Sequence, residues 1–313
     1  MLEILIAVMS LISGMFALIL SSEKVIEHST SIASILRIAP IMIGLVIVAL
    51  GTDLPEITNS IISSARGYGD INVGDSFGSI LAQIALILGL YAFVGGEINV
   101  KRKEIIVMGI CEVLLLTIAL FTIRDGYISR LDAAMLVIGW PVAMLISNKF
   151  MKKELVKTQY HYTPKKLLYH ALILFLGFIG IAVGSYVVVE SVISLSTIFR
   201  IHQYIISFFV VAIGTSLPEL AVDLAAIRKK QYDIAIGDTI GSCIVDASLS
   251  VGIGPLLFPT VVSAGLVKTT GLYILFVSIM ILTILALRKK IDKNLGIFFI
   301  ILYLLSYVFL FLR

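Results

Sequence analysis

Eight acidic side chains lie inside long apolar stretches of this chain, where an ionised group is costly. A charged carboxylate in the middle of a bilayer costs about 2.5 kcal/mol or more, even on the most lenient scale. No Lys or Arg lies well inside the same stretches, so these acids must be protonated, hydrated or bound to cations. The eight are Asp53, Glu56, Asp75, Glu112, Glu219, Asp223, Asp238 and Asp246.

Seven of the eight acids belong to two copies of one internal repeat. Residues 51–56 (GTDLPE) recur 163 residues later as residues 214–219 (GTSLPE). The same displacement maps Asp75 onto Asp238, and Gly78-Ser79 onto Gly241-Ser242. A register held over this distance is too long for chance. It predicts that the two copies build one shared site.

Within each copy, hydroxyl and carboxyl groups are spaced to share one face of a helix. Thr52 precedes Glu56 by four residues, as Thr215 precedes Glu219, and side chains four apart are neighbours on a helix. Two longer series have the same spacing: Asp75, Ser79 and Gln83, and Asp238, Ser242 and Asp246. Hard cations such as Ca²⁺, Mg²⁺ and Na⁺ prefer these oxygen ligands. The chain has no His/Cys cluster that would favour zinc or copper.

Glycine and proline stand beside the acids in both copies, at Gly51 and Pro55 and at Gly214 and Pro218. Proline removes a backbone donor and disrupts the preceding helical turn. At membrane depth such breaks are tolerated where they are buried in protein or line a cavity. The pattern therefore predicts two broken helices whose freed carbonyl groups add ligands to the site.

The elements that position these groups are predicted to be transmembrane helices. The chain has 313 residues, of which 59% are hydrophobic and 14% charged, and no soluble domain of this length could hide so much apolar surface. Apolar runs of spanning length recur ten times and predict an all-α polytopic membrane protein. The runs are about 2–20, 33–64, 71–93, 105–123, 129–148, 167–193, 203–227, 234–258, 268–287 and 294–312.

The distribution of Lys and Arg predicts the orientation. Loops after odd-numbered runs hold 17 of them and loops after even-numbered runs hold 5. The positive-inside rule then places both termini outside the plasma membrane and the 149–166 loop in the cytoplasm. Because the net charge of +4 is spread over short loops, nothing indicates binding to nucleic acid.

The number of runs between the two copies predicts their relative orientation. Five runs, an odd number, separate equivalent positions, so the second copy is inverted. Inverted repeats with broken helices point to a transporter site near the bilayer midplane. We therefore expect two five-helix repeats, 1–148 and 167–313, joined by the linker 149–166.

The paired motifs resemble the α-repeats of the cation/Ca²⁺ exchanger superfamily, and the chain is similar to its prokaryotic Na⁺/Ca²⁺ exchanger branch. The resemblance implies a secondary active antiporter without a cofactor that exchanges Ca²⁺ for Na⁺ by alternating access, not an enzyme. The implied Ca²⁺ ligands are Thr52, Glu56, Thr215 and Glu219. The implied Na⁺ ligands are Ala49, Ser79, Ala212, Ser216 and Ser242, with Asp246, Gln83 and Asp53 central or flanking.

Several residues depart from the pattern of that superfamily. Asp53 and Asp223 stand where Ser is usual, Asp75 and Asp238 replace Asn, and Gln83 replaces another Asn. A protonated Asp is nearly isosteric with Asn, so Asp75 and Asp238 are candidates for protonation. H⁺ therefore remains an alternative to Na⁺ as the counter-ion, and a divalent ion other than Ca²⁺ remains an alternative cargo.

Three other classes fit the sequence less well. An intramembrane aspartyl protease would use Asp75 and Asp238, but those enzymes carry Gly-x-Gly-Asp, and the first Gly is absent from both copies. A permanent cation channel has no need of paired inverted repeats. An ATP-driven pump would need a nucleotide-binding motif, and the chain has no Walker A sequence. The sequence leaves the oligomeric state open.

Overall fold

The computed structural model describes residues 2–36, 39–151, 164–196 and 203–311, and these ranges are almost entirely helical. The helices are α1 (Leu2–Leu36), α2 (Pro40–Thr52), α3 (Leu54–Ala65), α4 (Gly69–Gly95), α5 (Arg102–Thr122), α6 (Arg130–Phe150), α7 (Pro164–Ser196), α8 (Gln203–Ile206 continuing as Ser207–Thr215), α9 (Leu217–Arg228), α10 (Tyr232–Leu257), α11 (Ala264–Arg288) and α12 (Lys293–Phe311). Four short strands complete the described secondary structure: β1 (Ile98–Asn99), β2 (Tyr127–Ile128), β3 (Thr260–Val261) and β4 (Lys290–Ile291).

The helices confirm a polytopic membrane protein. Among the described residues, five helices are long and apolar enough to cross a bilayer, namely α4, α5, α6, α10 and α11. Two bent pairs raise the number to seven if each pair is one span. The other three predicted runs coincide with α1, α7 and α12, so the arrangement is consistent with ten spans.

Both predicted helix breaks are present. The axes of α2 and α3 differ by 43°, and those of α8 and α9 differ by 45°. Asp53 stands at the first break and Ser216 at the second, with nearly the same backbone angles. In each case a proline follows in the first turn of the next helix, where its missing N–H costs least.

The predicted end of the first apolar run and the predicted start of the second were wrong. The first run was expected to end near residue 20, but α1 continues to Leu36 because its polar second half buries Val25, Ile26 and His28. The second run was expected to begin near residue 33, but α2 begins at Pro40, after an extended residue. Proline at the first helical position sets this boundary.

Within residues 39–151 and 203–311, four helical segments have π-helical geometry, at positions that obey the repeat. Ile43–Val48 in α2 matches Ser207–Val211 in α8, and Ala82–Ile87 in α4 matches Asp246–Ser250 in α10. A π-helical turn shifts the side chains that follow it and is frequent at functional sites. The second pair places Gln83 and Asp246 in such turns.

Two antiparallel strand pairs join the halves of the chain. β1 pairs with β4 through Ile98 and Ile291, and β2 pairs with β3 through Ile128 and Thr260. The 21 residues of α5, about 32 Å of helix, separate β1 from β2. The two pairs therefore lie at opposite ends of the bundle.

Glycines allow the broken helices to approach their neighbours closely. A Cβ atom built on Gly241 of α10 would lie 2.8 Å from the carbonyl oxygen of Leu45 in α2. At the equivalent crossing, a Cβ atom on Gly78 of α4 would overlap the carbonyl oxygen of Phe208 in α8. Small residues permit such backbone contacts between membrane helices. They hold α4 and α10 against the segments that precede the breaks.

Helices α1 and α7 pack against each other along their length and cover the broken helices. Gly177 of α7 faces Val25 of α1, and Phe178 faces Gly51 at the end of α2. Near one end, the Nδ1 atoms of His28 and His170 are 2.8 Å apart. The two longest helices thus form one layer over the site.

Candidate cation-binding site

Three carboxyl groups meet where the two bent helix pairs face each other. They belong to Asp53, Glu56 and Glu219, and one carboxylate oxygen from each lies within 4.8 Å of the other two. Asp53 occupies the break before α3, while Glu56 and Glu219 lie in the first turns of α3 and α9. The side chains are at most 1% exposed. This is the only group of three potential metal ligands in the part of the chain that the structure describes.

The oxygens of this cluster have no well-placed donor in the part of the chain that the structure describes. All six carboxylate oxygens of the three residues are buried and accept no well-formed hydrogen bond from the described residues. A buried ionised carboxylate is tolerated when it is paired or coordinates a metal. Six unpaired oxygens in one place suit a hard cation, which prefers an all-oxygen site.

The threonines of the repeat lie beside the cluster with free lone pairs. The Thr52 hydroxyl donates to the carbonyl oxygens of Val48 and Ala49, at 3.1 and 3.2 Å, and lies next to Glu219. The Thr215 hydroxyl lies 3.1 Å from the carbonyl oxygen of Val211 and 2.8 Å from Asp75. A hydroxyl that donates to the backbone can still coordinate a cation through its oxygen.

The two predicted carbonyl ligands are partly used within the helices. The carbonyl oxygen of Ala49 accepts the amide of Asp53 at 2.9 Å, and that of Ala212 accepts the amide of Ser216 at 3.0 Å. The hydroxyls of Thr52 and Thr215 also lie 3.2 and 3.3 Å from these two oxygens, so a cation would share the second lone pair of each carbonyl with a threonine hydroxyl. The hydroxyls of Ser216 and Ser242 are buried and bond to no described residue, so they are free to bind a cation.

Gln83 and Asp246 contact each other. The amide nitrogen of Gln83 donates to one Asp246 oxygen at 3.1 Å, and the other Asp246 oxygen has no described partner. The two positions are equivalent in the repeat, since they are 163 residues apart. A contact between equivalent positions lies on the pseudo-two-fold axis that relates the repeats.

Asp75 and Asp238, although equivalent, have different neighbours. Asp75 accepts hydrogen bonds from Asn59 at 2.5 Å and from Thr215 at 2.8 Å. Both oxygens of Asp238 lack a well-formed hydrogen bond to the described residues, and the side chain lies next to the carboxyl group of Asp223 and the hydroxyl of Thr52. Two carboxyl groups in contact cannot both stay ionised without a cation or a proton between them.

Asp223 is the centre of a network that the spacing did not predict. It accepts a hydrogen bond from Thr239 at 2.8 Å, and Thr239 in turn bonds to Tyr91. Thr239 directly follows Asp238, so its place near the site could have been predicted. Tyr91, however, lies 148 residues away from Thr239 in the sequence. Nothing in the sequence pairs them.

Two predicted residues occupy positions outside this central cluster. Glu112 of α5 is fully buried and faces Ser278 of α11, and its carboxylate oxygens accept no well-formed hydrogen bond from the described residues. Ser79 is buried, and its hydroxyl is 3.5 Å from that of Thr215. It therefore lies beside the Asp75 side of the site.

One protein family and several known membrane proteins are similar to this chain over most of its length. The family described as sodium/calcium exchanger protein matches residues 6–149 and again residues 169–312. The putative antiporter CaxA of Alkalimonas amylolytica is 28% identical over 295 residues, which cover 91% of each chain. The sodium/calcium exchanger MaX1 of Methanosarcina acetivorans is 25% identical, and the alignment covers 96% of this chain and 97% of MaX1.

A solved structure of the sodium-calcium exchanger NCX_Mj, soaked with 10 mM Na⁺ and zero Ca²⁺, has the same fold. It superimposes with a TM-score of 0.81 at 27% identity, covering 98% of this chain and 99% of that one. The similarity therefore spans both repeats and the cluster between them.

Proposed function

This chain belongs to the sodium/calcium exchanger protein family, and we propose that it exchanges Ca²⁺ for Na⁺ across a membrane at the cluster of Asp53, Glu56 and Glu219. As a member of that family it is a transporter and not an enzyme. The observation that carries the proposal is the group of three buried carboxyl groups whose oxygens accept no well-formed hydrogen bond from the described residues. A divalent cation supplies the positive charge that these groups lack.

The geometry of the bent helices supports this site. Glu56 and Glu219 lie in the first turns of α3 and α9, where the positive end of a helix stabilises the negative charge of a carboxylate ligand. Thr52 and Thr215 end the preceding segments and add hydroxyl oxygens. Ca²⁺ takes six to eight oxygen ligands, which carboxylates, hydroxyls and carbonyls together can supply. Na⁺ would use the neutral ligands around them: Ala49, Ser79, Ala212, Ser216 and Ser242.

We propose alternating access between two inverted halves, 1–148 and 167–313. The family match to residues 6–149 and 169–312 follows the same division. The linker 149–166 would lie in the cytoplasm of a cell whose plasma membrane holds the protein. Residues 152–163 of this linker lie outside the described residues.

The orientation can be tested by labelling single cysteines with a membrane-impermeant thiol reagent. Cysteines at the exposed positions Lys103 and Lys230 are expected to react only from the cytoplasmic side, and one at Tyr68 only from outside. The native Cys111 and Cys243 are buried and serve as the unlabelled background. Reaction of the Lys230 position from outside would reverse the proposed orientation.

The transport proposal can be tested with purified protein in liposomes. An outward Na⁺ gradient at equal pH is expected to drive Ca²⁺ uptake, and collapse of the gradient with a Na⁺ ionophore should stop it. A pH gradient imposed without Na⁺ is the matched comparison. Absence of Ca²⁺ uptake under the Na⁺ gradient would refute the proposal.

Coupling to H⁺ is the second candidate, and the contact between Asp223 and Asp238 favours it. Asp75 and Asp238 can be tested together. If these two residues only stabilise the structure, replacing both by Asn should preserve Na⁺-driven Ca²⁺ uptake and weaken the dependence of uptake on pH. If they carry protons, the same double variant should lose pH-driven uptake. A variant with the wild-type pH profile would show that neither residue titrates in the working range.

A further inference from the structure

Two lysines have a backbone conformation that usually belongs to glycine. Lys230 follows α9 and Lys289 follows α11, and both have a φ angle of 58°. In the part of the chain that the structure describes, they are the only residues other than glycine with a positive φ. A side chain in this left-handed region crowds the following carbonyl oxygen, at a cost that lowers the folding equilibrium constant about fivefold or more.

The internal repeat shows that glycine fits both positions. The displacement of 163 residues maps Lys230 onto Gly67, with φ 76°, and Lys289 onto Gly126, with φ 82°. The turns at Gly67 and Lys230 also share a hydrogen bond, since each amide donates to the carbonyl oxygen three residues earlier at 3.0 Å. The fold therefore accepts glycine in these turns, and one half of the chain has lysine instead.

The two lysines lie at the same end of the bundle. The carbonyl oxygen of Lys289 accepts the amide of Val100, directly after β1, at 2.9 Å. Ile227, three residues before Lys230, meets the same segment, because a Cβ atom built on Gly95 would lie 2.8 Å from its side chain. The proposed orientation places this end in the cytoplasm. Because the repeats are inverted, the two equivalent glycines lie at the opposite, outer end.

The cytoplasmic end presents an excess of positive charge. Lys230 and Lys289 are exposed, and neither forms an ion pair with an acid among the described residues. The acids of the neighbouring loops are already paired with other cations. These pairs are Lys290 with Glu97 at 2.8 Å, Lys101 with Asp233 at 2.9 Å, and Arg288 with Asp292 at 2.8 Å. The charges of the two left-handed lysines are therefore available to a partner.

Neither membrane orientation nor the helix dipole accounts for lysine at these two positions. The positive-inside rule counts Lys and Arg anywhere in a short loop, so it does not favour residues with a left-handed backbone. A positive charge near a helix C-terminus is favourable. However, Arg228 and Arg288 already supply one in the last turns of α9 and α11. The lysines add charge at the level just beyond the helix ends.

We propose that Lys230 and Lys289 bind the anionic headgroups of phospholipids in the cytoplasmic leaflet. Leu287, two residues before Lys289, is 66% exposed, which indicates that the end of α11 faces lipid. Headgroups lie at the level where such a membrane helix ends. One lysine close to an anionic membrane surface strengthens binding about fivefold. This gain offsets the cost of the left-handed backbone, which explains why glycine is absent from this side only.

Thermal unfolding of the purified full-length protein in a neutral detergent tests the proposal. Wild-type protein is expected to melt at a higher temperature with added phosphatidylglycerol, which is anionic, than with the same amount of phosphatidylcholine. The double variant Lys230→Gly with Lys289→Gly should lose most of this rise. In phosphatidylcholine the same variant should melt higher than wild type, because glycine is unstrained in both turns.

Two control variants separate the backbone effect from the charge effect. Gly67→Lys introduces lysine at the equivalent outer turn, where a Cβ atom would meet nothing within 4 Å. It should melt lower than wild type in phosphatidylcholine, because only the left-handed backbone is at fault. The double variant Arg102→Ala with Lys103→Ala removes two exposed cations from helical positions in α5. It should keep most of the rise with phosphatidylglycerol.

The outcomes decide the proposal without any measurement of transport, so they do not depend on the exchange of Ca²⁺ for Na⁺. A full rise with phosphatidylglycerol in the double glycine variant would overturn it, as would an equal loss of that rise in the Arg102 and Lys103 variant. A rise of the same size with inorganic phosphate in place of lipid would identify a soluble anion and also overturn it. A double glycine variant that melts no higher than wild type in phosphatidylcholine would remove the argument from backbone strain.

Discussion

Replacing Glu56 or Glu219 by Gln is expected to reduce Ca²⁺ transport by about 100-fold or more, since loss of a charged ligand costs ~3 kcal/mol. Gln keeps the size of the side chain and one ligand oxygen but removes the charge that a dehydrated divalent cation needs. Because both residues lie in first helical turns that proline and the break already define, the fold should tolerate the change. Initial rates of ⁴⁵Ca²⁺ uptake into Na⁺-loaded liposomes measure the effect.

Glu112→Gln is the matched control for these variants. Glu112 is also a buried acid within a membrane helix, but it faces Ser278 between α5 and α11 and takes no part in the cluster. Its transport rate should stay within about threefold of wild type, a change of less than ~1 kcal/mol. Near-normal Ca²⁺ transport in Glu56→Gln or Glu219→Gln would eliminate the proposed site.

Gly241→Val is expected to prevent α10 from packing against α2 and to lower the thermal stability of the purified protein. The added Cβ atom would meet backbone atoms of Leu45, which cannot move aside by changing a rotamer. Overpacking of this kind costs about 1–3 kcal/mol, and more where backbone must shift. The melting temperature and the monodisperse yield, both read by size-exclusion chromatography after heating, measure the loss.

The same substitution at Gly265 controls for the cost of valine in a helix. Gly265 lies near the start of α11, and a Cβ atom built there meets nothing within 4 Å. Gly265→Val should therefore unfold at a temperature close to that of the wild type. Equal stability of the two valine variants would show that the close approach of α10 and α2 does not matter.

The features that the sequence predicted are those encoded locally. Residues four apart share a helix face wherever a helix forms, so Thr52 with Glu56 and Thr215 with Glu219 could be paired from spacing alone. Glycine and proline act on the turn in which they stand, which is why both helix breaks were foreseen. The displacement of 163 residues between the two copies of the repeat then indicated that both sets of ligands build one site.

The features that the sequence did not predict depend on which helices touch. Asp75 and Asp238 occupy the same place in the repeat, yet one meets Asn59 and the other meets Asp223. His28 and His170 are 142 residues apart, and no spacing rule relates them. The start of α2 was misplaced because the apolar pattern continues through the connection, whereas the helix begins at Pro40.

The contact between Gln83 and Asp246 bears on how the chain evolved. In a homodimer, a residue on the two-fold axis meets its own copy, so an Asp there would face an identical Asp. Duplication followed by fusion into one gene frees the two positions to diverge. The amide of Gln83 can then bond to Asp246 at 3.1 Å, where two carboxylates would repel. A hydrogen bond on the axis between unlike residues is thus available to a single chain that carries both repeats and closed to a homodimer of one repeat.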